Sequence, residues 1–326
     1  MKKIVIFNPN VGSALEQSGN IITSWINEID GIEIYTISEQ TSAYEYVKKL
    51  NNIRPDIIVI NDYYRNIAQA SSLYRHFNAN VRIIYLEYVW QRTTGVPEDD
   101  YPIYTKLLYF TDEIFYLNYA PARLRYTNNY YMPTDPNKFK ITKSWTDREK
   151  KFAYIGTITD IKLSPSFIKA IVNTDITIDC YGNIHKNCSQ EYVDLLSSCK
   201  SIILKGYIPF ENIQDTMNEY KYFVLPHDGS EPFNWSLLQC IFCGMIPFVV
   251  NDRTRTNVDT RWIDWASGLY IEFNNVDNLI HFMKNITDID EKYFAELSEK
   301  ISQSAMEKFD YYKFKNDFIQ ILTSYV

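Results

Sequence analysis

The sequence predicts an α/β fold of two doubly wound domains, each a parallel sheet with helices on both faces. The length of 326 residues suits two domains of about 150 residues each better than one core. In both halves, short apolar runs such as KKIVIF and KFAYIG alternate with helix-like segments, as in parallel sheets. Between the halves, residues 134–150 are polar and charged and contain Pro136, which predicts an interdomain linker.

The predicted strands and helices alternate in the same way in both halves, so that two Rossmann-like units follow one another. First-half strands are predicted at KKIVIF, IEIYTI, DIIVIN, VRIIYLE, EIFYLN and NNYYMP, with helices near residues 18–28, 43–50 and 67–77. Second-half strands are predicted at KFAYIG, ITIDCYG, SIILKG, YFVLP, IPFVV and LYIEF, with helices near residues 164–171, 190–198, 211–219, 234–243 and 276–284. Residues 291–326 are predicted to be helical to the end.

The composition narrows the class of protein. A net charge of −7 disfavours a protein that wraps nucleic acid by charge alone, although Lys and Arg balance Asp and Glu over residues 1–146. No apolar run approaches the roughly 18 residues of a membrane span. Five cysteines without a disulfide-like spacing fit a reducing compartment, so a cytoplasmic protein is expected. Four scattered histidines predict no metal cluster.

Glycines close three predicted strands of the second half. Gly156, Gly182 and Gly206 end KFAYIG, ITIDCYG and SIILKG in turn. Ligands of open parallel sheets bind outside the carboxyl ends of the strands, so these positions predict a binding site. Neither half has a Gly-x-Gly-x-x-Gly turn, which disfavours an enzyme that uses a nicotinamide dinucleotide.

The segment EPFNWSLLQCIFCGMIPFVV, residues 231–250, predicts a helix start that binds an anion. Glu231 and Pro232 precede a helix near residues 234–243, Gly244 fits the helix end, and PFVV reads as a buried strand. At such a helix start, free backbone N–H groups and the positive end of the helix dipole can hold a diphosphate.

This segment resembles the donor-binding motif of GT-B glycosyltransferases, in which a Glu, seven residues and a second Glu precede a Gly-x-Pro strand. The second Glu falls on Gln239 here. The strands that end in glycine over residues 151–285 resemble the second domain of that family. YIGTITDIKLSPSFIKAIVNTDITIDCYGN and LKGYIPFENI are spaced like the corresponding segments of phage DNA glycosyltransferases.

The resemblance implies a GT-B fold, in which two Rossmann-like domains face each other across a cleft. Residues 1–140 would form the acceptor-side domain, and residues 151–305 would bind the nucleotide sugar. Residues 306–326 would form a helix that crosses back to the first domain.

The resemblance also implies a donor site in the second domain. Gly156 would approach the diphosphate, Lys162 would add positive charge, and Gln239 would bind the ribose through a neutral amide. Three of the implied donor-binding residues have an alternative role. These alternatives are Lys162 as a surface side chain, Tyr207 as a packing residue, and Glu231 as a charge at a helix start. The implied donor-binding residues are Gly12, Ser13, Gly156, Thr157, Lys162, Gly182, Tyr207, Ile208, Glu231, Phe233, Asn234, Trp235, Ser236 and Gln239.

Two carboxylates of the first half are candidates for the catalytic base. Glu87 ends VRIIYLE, where the family often has a His or an acidic residue, and Asp62 follows DIIVIN. Such a group can take the proton of a hydroxyl that attacks the anomeric carbon. The alternative for Glu87 is an ion pair with Arg92. Asp99 and Asp100 are third candidates.

The function expected from this resemblance is transfer of a sugar from a nucleotide sugar, a UDP-sugar, to an acceptor hydroxyl. The acceptor is either a hydroxymethylated base of duplex DNA or a glycan, and Arg92, Arg123 and Arg125 are candidates to guide it. No cofactor is implied beyond the donor. The alternatives are a GT-B-type sugar-nucleotide epimerase and a non-catalytic nucleotide-sugar binding protein, which the change to Gln239 favours.

Overall fold

The chain forms two compact units in the computed structural model, Met1–Pro133 with Asp310–Val326, and Thr134–Phe309. The described residues are 1–8, 14–87, 98–117, 127–130, 133–227, 234–250, 266–286 and 291–325. The predicted site residues outside these ranges are Gly12, Ser13, Arg92, Arg123, Arg125, Glu231 and Phe233, and the side chain of Glu87 is also outside the description.

The first unit contains a parallel six-stranded sheet in the order β2-β1-β3-β4-β5-β6. On its central strands, residues 4–7, 57–61 and 83–86 are buried, because helices cover both faces of a doubly wound sheet. The strands are β1 Lys2–Phe7, β2 Ile32–Ile37, β3 Ile57–Asn61, β4 Arg82–Glu87, β5 Glu113–Leu117 and β6 Thr127–Tyr130. The helices are α1 Ala14–Ile26, α2 Ala43–Ile53, α3 Arg65–Phe77, α4 Tyr101–Phe110 and α11 Tyr311–Thr323.

Helix α4 is an element that the sequence did not predict. Its segment YPIYTKLLYF has four aromatic residues, which have a lower helix propensity than Ala or Leu, so the pattern is ambiguous. The fold stabilises it through burial, since Leu107 is inaccessible to solvent and Tyr104 packs edge-on against Tyr63. Tertiary packing therefore outweighs propensity in this segment.

The second unit contains another parallel six-stranded sheet, in the order β12-β11-β10-β7-β8-β9. The strands are β7 Glu149–Ile155, β8 Ile178–Tyr181, β9 Ile202–Gly206, β10 Tyr220–Leu225, β11 Ile246–Val250 and β12 Ile271–Phe273. The helices are α5 Pro165–Ile171, α6 Gln190–Ser198, α7 Ile213–Glu219, α8 Trp235–Phe242, α9 Val276–Asn285 and α10 Glu291–Lys308.

Residues 134–150 differ from the predicted linker, because they pack as part of the second unit. Phe139 and Trp145 are buried although their neighbours in the sequence are polar. The Arg148 guanidinium donates to the Lys143 carbonyl at 3.0 and 3.1 Å and to Asn218 Oδ1 at 3.2 Å. The segment is therefore held by two buried aromatic side chains and by the hydrogen bonds of the Arg148 side chain, which its composition does not reveal.

The helical C-terminal region is two helices, not one continuous helix. Helix α10 ends at Lys308, and Asp310 caps α11 by accepting a hydrogen bond from the Lys313 N–H at 2.9 Å. Helix α11 packs on the first unit, where Trp25 Nε1 donates to Tyr311 Oη at 2.8 Å. The break at Asp310 thus lets the chain return to the first unit.

Candidate functional site

The order of strands in the second unit places a switch point beside β7. Strands β8 and β9 follow on one side of β7, whereas β10, β11 and β12 lie on the other side. Crossovers on both sides leave a crevice outside the carboxyl ends of the strands at such a point. The ends of β7 and β10, at Ile155 and Leu225, therefore border the best candidate site of this unit.

Three strand-end glycines form a continuous hydrogen-bonded edge next to this point. The Gly156 N–H donates to the Tyr181 carbonyl at 2.9 Å, and the Gly182 N–H donates to the Gly206 carbonyl at 2.8 Å. A Cβ atom on Gly182 would lie 1.9 Å from the carbonyl oxygen of Gly156, and its φ is +137°. Position 182 therefore requires glycine both for its backbone conformation and for the close approach of two turns.

The start of helix α8 faces the Gly156 turn. Asn234 is the N-cap, and its Oδ1 accepts a hydrogen bond from the Leu237 N–H at 2.8 Å. Ser236 Oγ is 3.5 Å from the position that a Cβ atom on Gly156 would occupy. A helix start and a glycine turn are thus adjacent, which is an arrangement that accommodates an anion.

The side chain of Trp235 packs in the core of the second unit. The indole is 5% exposed and donates from Nε1 to Thr134 Oγ1 at 2.8 Å, and its ring centroid is 6.0 Å from that of Phe210. Only the backbone N–H of Trp235 fits the predicted contact with a diphosphate.

Gln239 lies one turn after Ser236 on the same face of α8. It is 3% exposed, and within the described part of the chain no acceptor contacts its Nε2. A buried amide N–H without an acceptor is unfavourable unless a ligand or water satisfies it. Gln239 is therefore a candidate to donate a hydrogen bond to a bound molecule.

The other predicted donor residues lie on loops at the same edge of the second sheet. Thr157 is exposed after β7, and its carbonyl accepts from Tyr154 Oη at 2.7 Å. Lys162 is half-buried in the same loop, where its N–H donates to Thr159 Oγ1 at 3.1 Å. Tyr207 is 62% exposed and Ile208 is half-buried just after β9. The exposed ring of Tyr207 is free of a core-packing role.

The two candidate bases lie on neighbouring strand ends of the first unit. The Asp62 N–H donates to the Leu86 carbonyl at 3.0 Å, and Asn61 is in register with Leu86, so Asp62 and Glu87 follow at equivalent positions. Asp62 is 6% exposed and has a φ of +72°, a left-handed conformation that is uncommon for a residue with a side chain. Such strain is concentrated at functional sites.

Asp100 is a weaker candidate than the sequence suggests. Its Oδ1 is 2.8 Å from Arg65 Nη1, so the carboxylate is already in an ion pair. Burial and the Asp100 charge raise the pKa of the neighbouring Tyr63 to about 12. Asp99 is exposed on the same short 3₁₀ helix.

Sequence reasoning missed several buried polar residues at strand ends. Asn8, which follows β1, and Asn61, which ends β3, are each 1% exposed and are bonded to each other. His227 is 4% exposed two residues after β10, beside the switch point of the second unit. The sequence does carry a sign of the two asparagines, because KKIVIF and DIIVI are both followed directly by Asn.

No group of three or more His, Cys, Asp and Glu side chains in the described ranges is arranged to hold a metal ion. Among the helices that the structure describes, none combines the length and the apolar character needed to cross a membrane.

Comparison with known proteins links this chain to others through its fold. No protein-family model and no curated protein sequence matches it. Anabaena HepE in complex with UDP-glucose is similar, with a TM-score of 0.76 and 13% identity over 99% of this chain and 100% of that one. Sucrose-phosphate synthase from Thermosynechococcus elongatus is similar with a TM-score of 0.77 and 10% identity over 99% of both chains. A glycosyltransferase from Rickettsia africae is similar with a TM-score of 0.72 and 11% identity over 99% of this chain and 98% of that one. With two parallel α/β sheets matching these structures, the chain has the GT-B fold.

Proposed function

We propose that this protein is a glycosyltransferase that moves a sugar from a UDP-sugar to an acceptor hydroxyl. The observation that carries the proposal is the meeting of the Gly156 turn with the start of α8, at the switch point of the second sheet. The fold adds support, because HepE, which has the same fold, was solved with UDP-glucose.

The diphosphate is proposed to lie between the Gly156 turn and the start of α8. Glycine at positions 156 and 182 lets the backbone approach the phosphates, and the helix start supplies N–H groups and a favourable dipole. Ser236 adds a hydroxyl at the same place. Glu231, Phe233, Gly12 and Ser13, which lie outside the described residues, are proposed to complete the donor site.

The ribose is proposed to contact Gln239, and the nucleobase is proposed to lie against Tyr207 and Ile208. The buried amide of Gln239 has a donor that no described residue uses, and a ribose hydroxyl can accept from it. The exposed Tyr207 ring offers a flat apolar face for a base. Lys162 is proposed to offset the negative charge of the diphosphate.

The first unit is proposed to supply the base. In the reaction, the acceptor oxygen forms a bond to the anomeric carbon, and the bond from that carbon to the phosphate oxygen breaks, with its electron pair leaving on UDP. The hydroxyl proton passes to a carboxylate, Glu87 or Asp62. Asp62 is supported by its burial and its left-handed backbone. This assignment applies to an inverting enzyme, whereas a retaining one would need no such base.

The acceptor is proposed to be a glycan hydroxyl or a hydroxymethylated base of duplex DNA. Arg92, Arg123 and Arg125 would guide a DNA backbone. Binding to DNA weakens steeply with salt, because each neutralised phosphate adds close to one unit to the log–log slope. A neutral glycan would show little salt dependence.

A screen of nucleotide sugars with and without acceptors tests the proposal. Release of UDP that requires an acceptor and yields a glycosylated product is the expected result. Conversion of the donor sugar without an acceptor would indicate the epimerase, and tight UDP binding without turnover would indicate a non-catalytic binder. The acceptor is identified by comparing sugar transfer to glycans and to hydroxymethylated duplex DNA, each measured at two salt concentrations.

A further inference from the structure

Buried side-chain amides join the ends of two neighbouring strands at the switch point of the first unit. Asn61 Nδ2 donates to Asn8 Oδ1 at 2.9 Å. Asn8 Nδ2 in turn donates to Asn20 Oδ1 at 2.9 Å and to the Glu16 carbonyl at 3.1 Å. Both N–H donors of the Asn8 amide are thus used, and because a backbone carbonyl only accepts, the orientation of this amide is determined.

Gly19 provides the space for this cluster. A Cβ atom on Gly19 would lie 2.1 Å from Asn8 Oδ1 and 2.6 Å from Asn61 Nδ2. The residue lies within helix α1, where glycine is unfavourable, so its role here is to let the helix approach the two amides. The cluster therefore connects α1, β1 and β3 through close packing as well as hydrogen bonds.

Asp62 follows Asn61 directly, and its backbone leaves β3 in the left-handed conformation. A strained turn persists only where its surroundings hold it. The Asn61 side chain is fixed to Asn8 on one side of the turn, and the Asp62 N–H is bonded to Leu86 on the other. The turn is therefore held from both of the neighbouring strands, β1 and β4.

We infer that Asn8, Asn20 and Asn61 are positioning residues that fix the Asp62 turn, and hence the direction of its carboxylate, for proton transfer from the acceptor. The inference rests on the proposed function for the reaction, but the physical link between the amides and Asp62 does not. The cluster is neutral, so it orients Asp62 without adding a charge beside it.

Matched Asn-to-Asp variants test the physical link without any activity assay. In Asn8→Asp the side chain loses both donors and faces two acceptors, so amide hydrogen exchange at Asp62 is expected to accelerate at least about tenfold. In Asn20→Asp the acceptor for Asn8 is kept, and exchange at Asp62 should stay within about threefold of wild type. The Gly156 N–H in the second unit serves as the internal reference.

The same change of size and charge is thus expected to accelerate exchange at Asp62 when made at Asn8 and to leave it nearly unchanged when made at Asn20. Unchanged exchange at Asp62 in Asn8→Asp, or equal acceleration in Asn20→Asp, would overturn the inference. If Asn8→Asp does not fold, Asn61→Asp, which removes the donor to Asn8, is measured in its place.

Turnover tests the role in the reaction. Asn8→Asp is expected to lower kcat by about 10- to 100-fold, because a small displacement of a catalytic group has an effect of this size. Its UDP affinity should remain at the wild-type value, and Asn66→Asp, on the exposed start of α3, is the control for charge. Absence of sugar transfer by the wild-type protein would reject the proposed function. Amide hydrogen exchange at Asp62 would still test whether the amide cluster holds the Asp62 turn. Wild-type kcat in Asn8→Asp would reject the positioning role.

Discussion

The α-carbon of Gly182 lies so near the carbonyl oxygen of Gly156 that a Cβ atom at position 182 would be 1.9 Å from it. Two strand-end turns thus touch through their backbones beside the start of α8. Because neither turn can move away without breaking the hydrogen bonds of the sheet edge, the shape of the proposed diphosphate site depends on this contact.

Gly182→Ala should therefore damage both stability and donor binding. The expected loss in free energy of unfolding is about 2–4 kcal/mol, from backbone strain and the clash together. UDP affinity is expected to fall at least about tenfold, since the phosphates need a close backbone approach. Gly206→Ala is the matched control, because its φ is +80° but nothing lies within 4 Å of the added atom. Equal losses in the two variants, measured by urea unfolding, would show that the contact has no effect of its own.

Replacement of Gln239 should move stability and donor affinity in opposite directions. Gln239→Leu removes a buried donor that no described residue satisfies, so the unliganded protein should be as stable as wild type or more stable. UDP affinity should fall about tenfold, because the ribose contact is lost. Gln239→Glu should keep or improve UDP affinity, because the ribose hydroxyl that accepts from the Gln239 amide can rotate and donate to a carboxylate, which is a strong acceptor.

Calorimetric titration with UDP and thermal unfolding of the same samples measure both quantities. A Gln239→Leu protein that binds UDP normally but unfolds more easily would place Gln239 in the core rather than in the site.

Loss of the base should affect turnover and not donor binding. Glu87→Gln is expected to lower kcat by roughly 100-fold with UDP affinity near wild type. Asp62→Asn is the comparison. It removes the carboxylate and keeps the backbone, because Asn tolerates the left-handed conformation at this position. The variant with the larger fall in kcat identifies the base. Near-normal kcat in both would favour a retaining mechanism without a protein base.

Glu291 should make the second unit less stable in acid. Burial acts to raise its pKa, but hydrogen bonds from Lys221, Lys150 and Trp145 outweigh burial and lower the pKa to about 2. The folded-state pKa is thus below the ordinary value of 4.5, so the contribution is present above that pH and is lost as pH falls towards about 2.

Because the Glu291 side chain is 43% exposed, solvent screening limits the effect to about 1 kcal/mol or less. Urea unfolding at pH 6 and pH 3 should show a smaller acid-induced loss in Glu291→Gln than in wild type. An identical pH dependence in the two proteins would mean that Lys221 and Lys150 give the carboxylate no net stabilisation.

Much of the fold follows from local patterns in the sequence. Apolar runs between polar segments predict the parallel strands, because strands covered on both faces have no solvent side, and KKIVIF, IEIYTI and IPFVV are strands over those residues. The helix predicted near residues 190–198 is α6, and Ser189, a residue type that favours helix starts, is its N-cap. Glycines at strand ends predict the edge at which Gly156, Gly182 and Gly206 meet.

Only the tertiary structure decides which distant residues meet. The sequence places Asn8 and Asn61 at strand ends, but their contact depends on β1 and β3 becoming neighbours and on Gly19 leaving room. Likewise, the polar segment 134–150 carries no sign that Trp145 will be buried against Tyr222 and Phe294. Local sequence determines backbone preference and the pattern of burial, whereas contacts across the sheet depend on chain topology, which no single segment encodes.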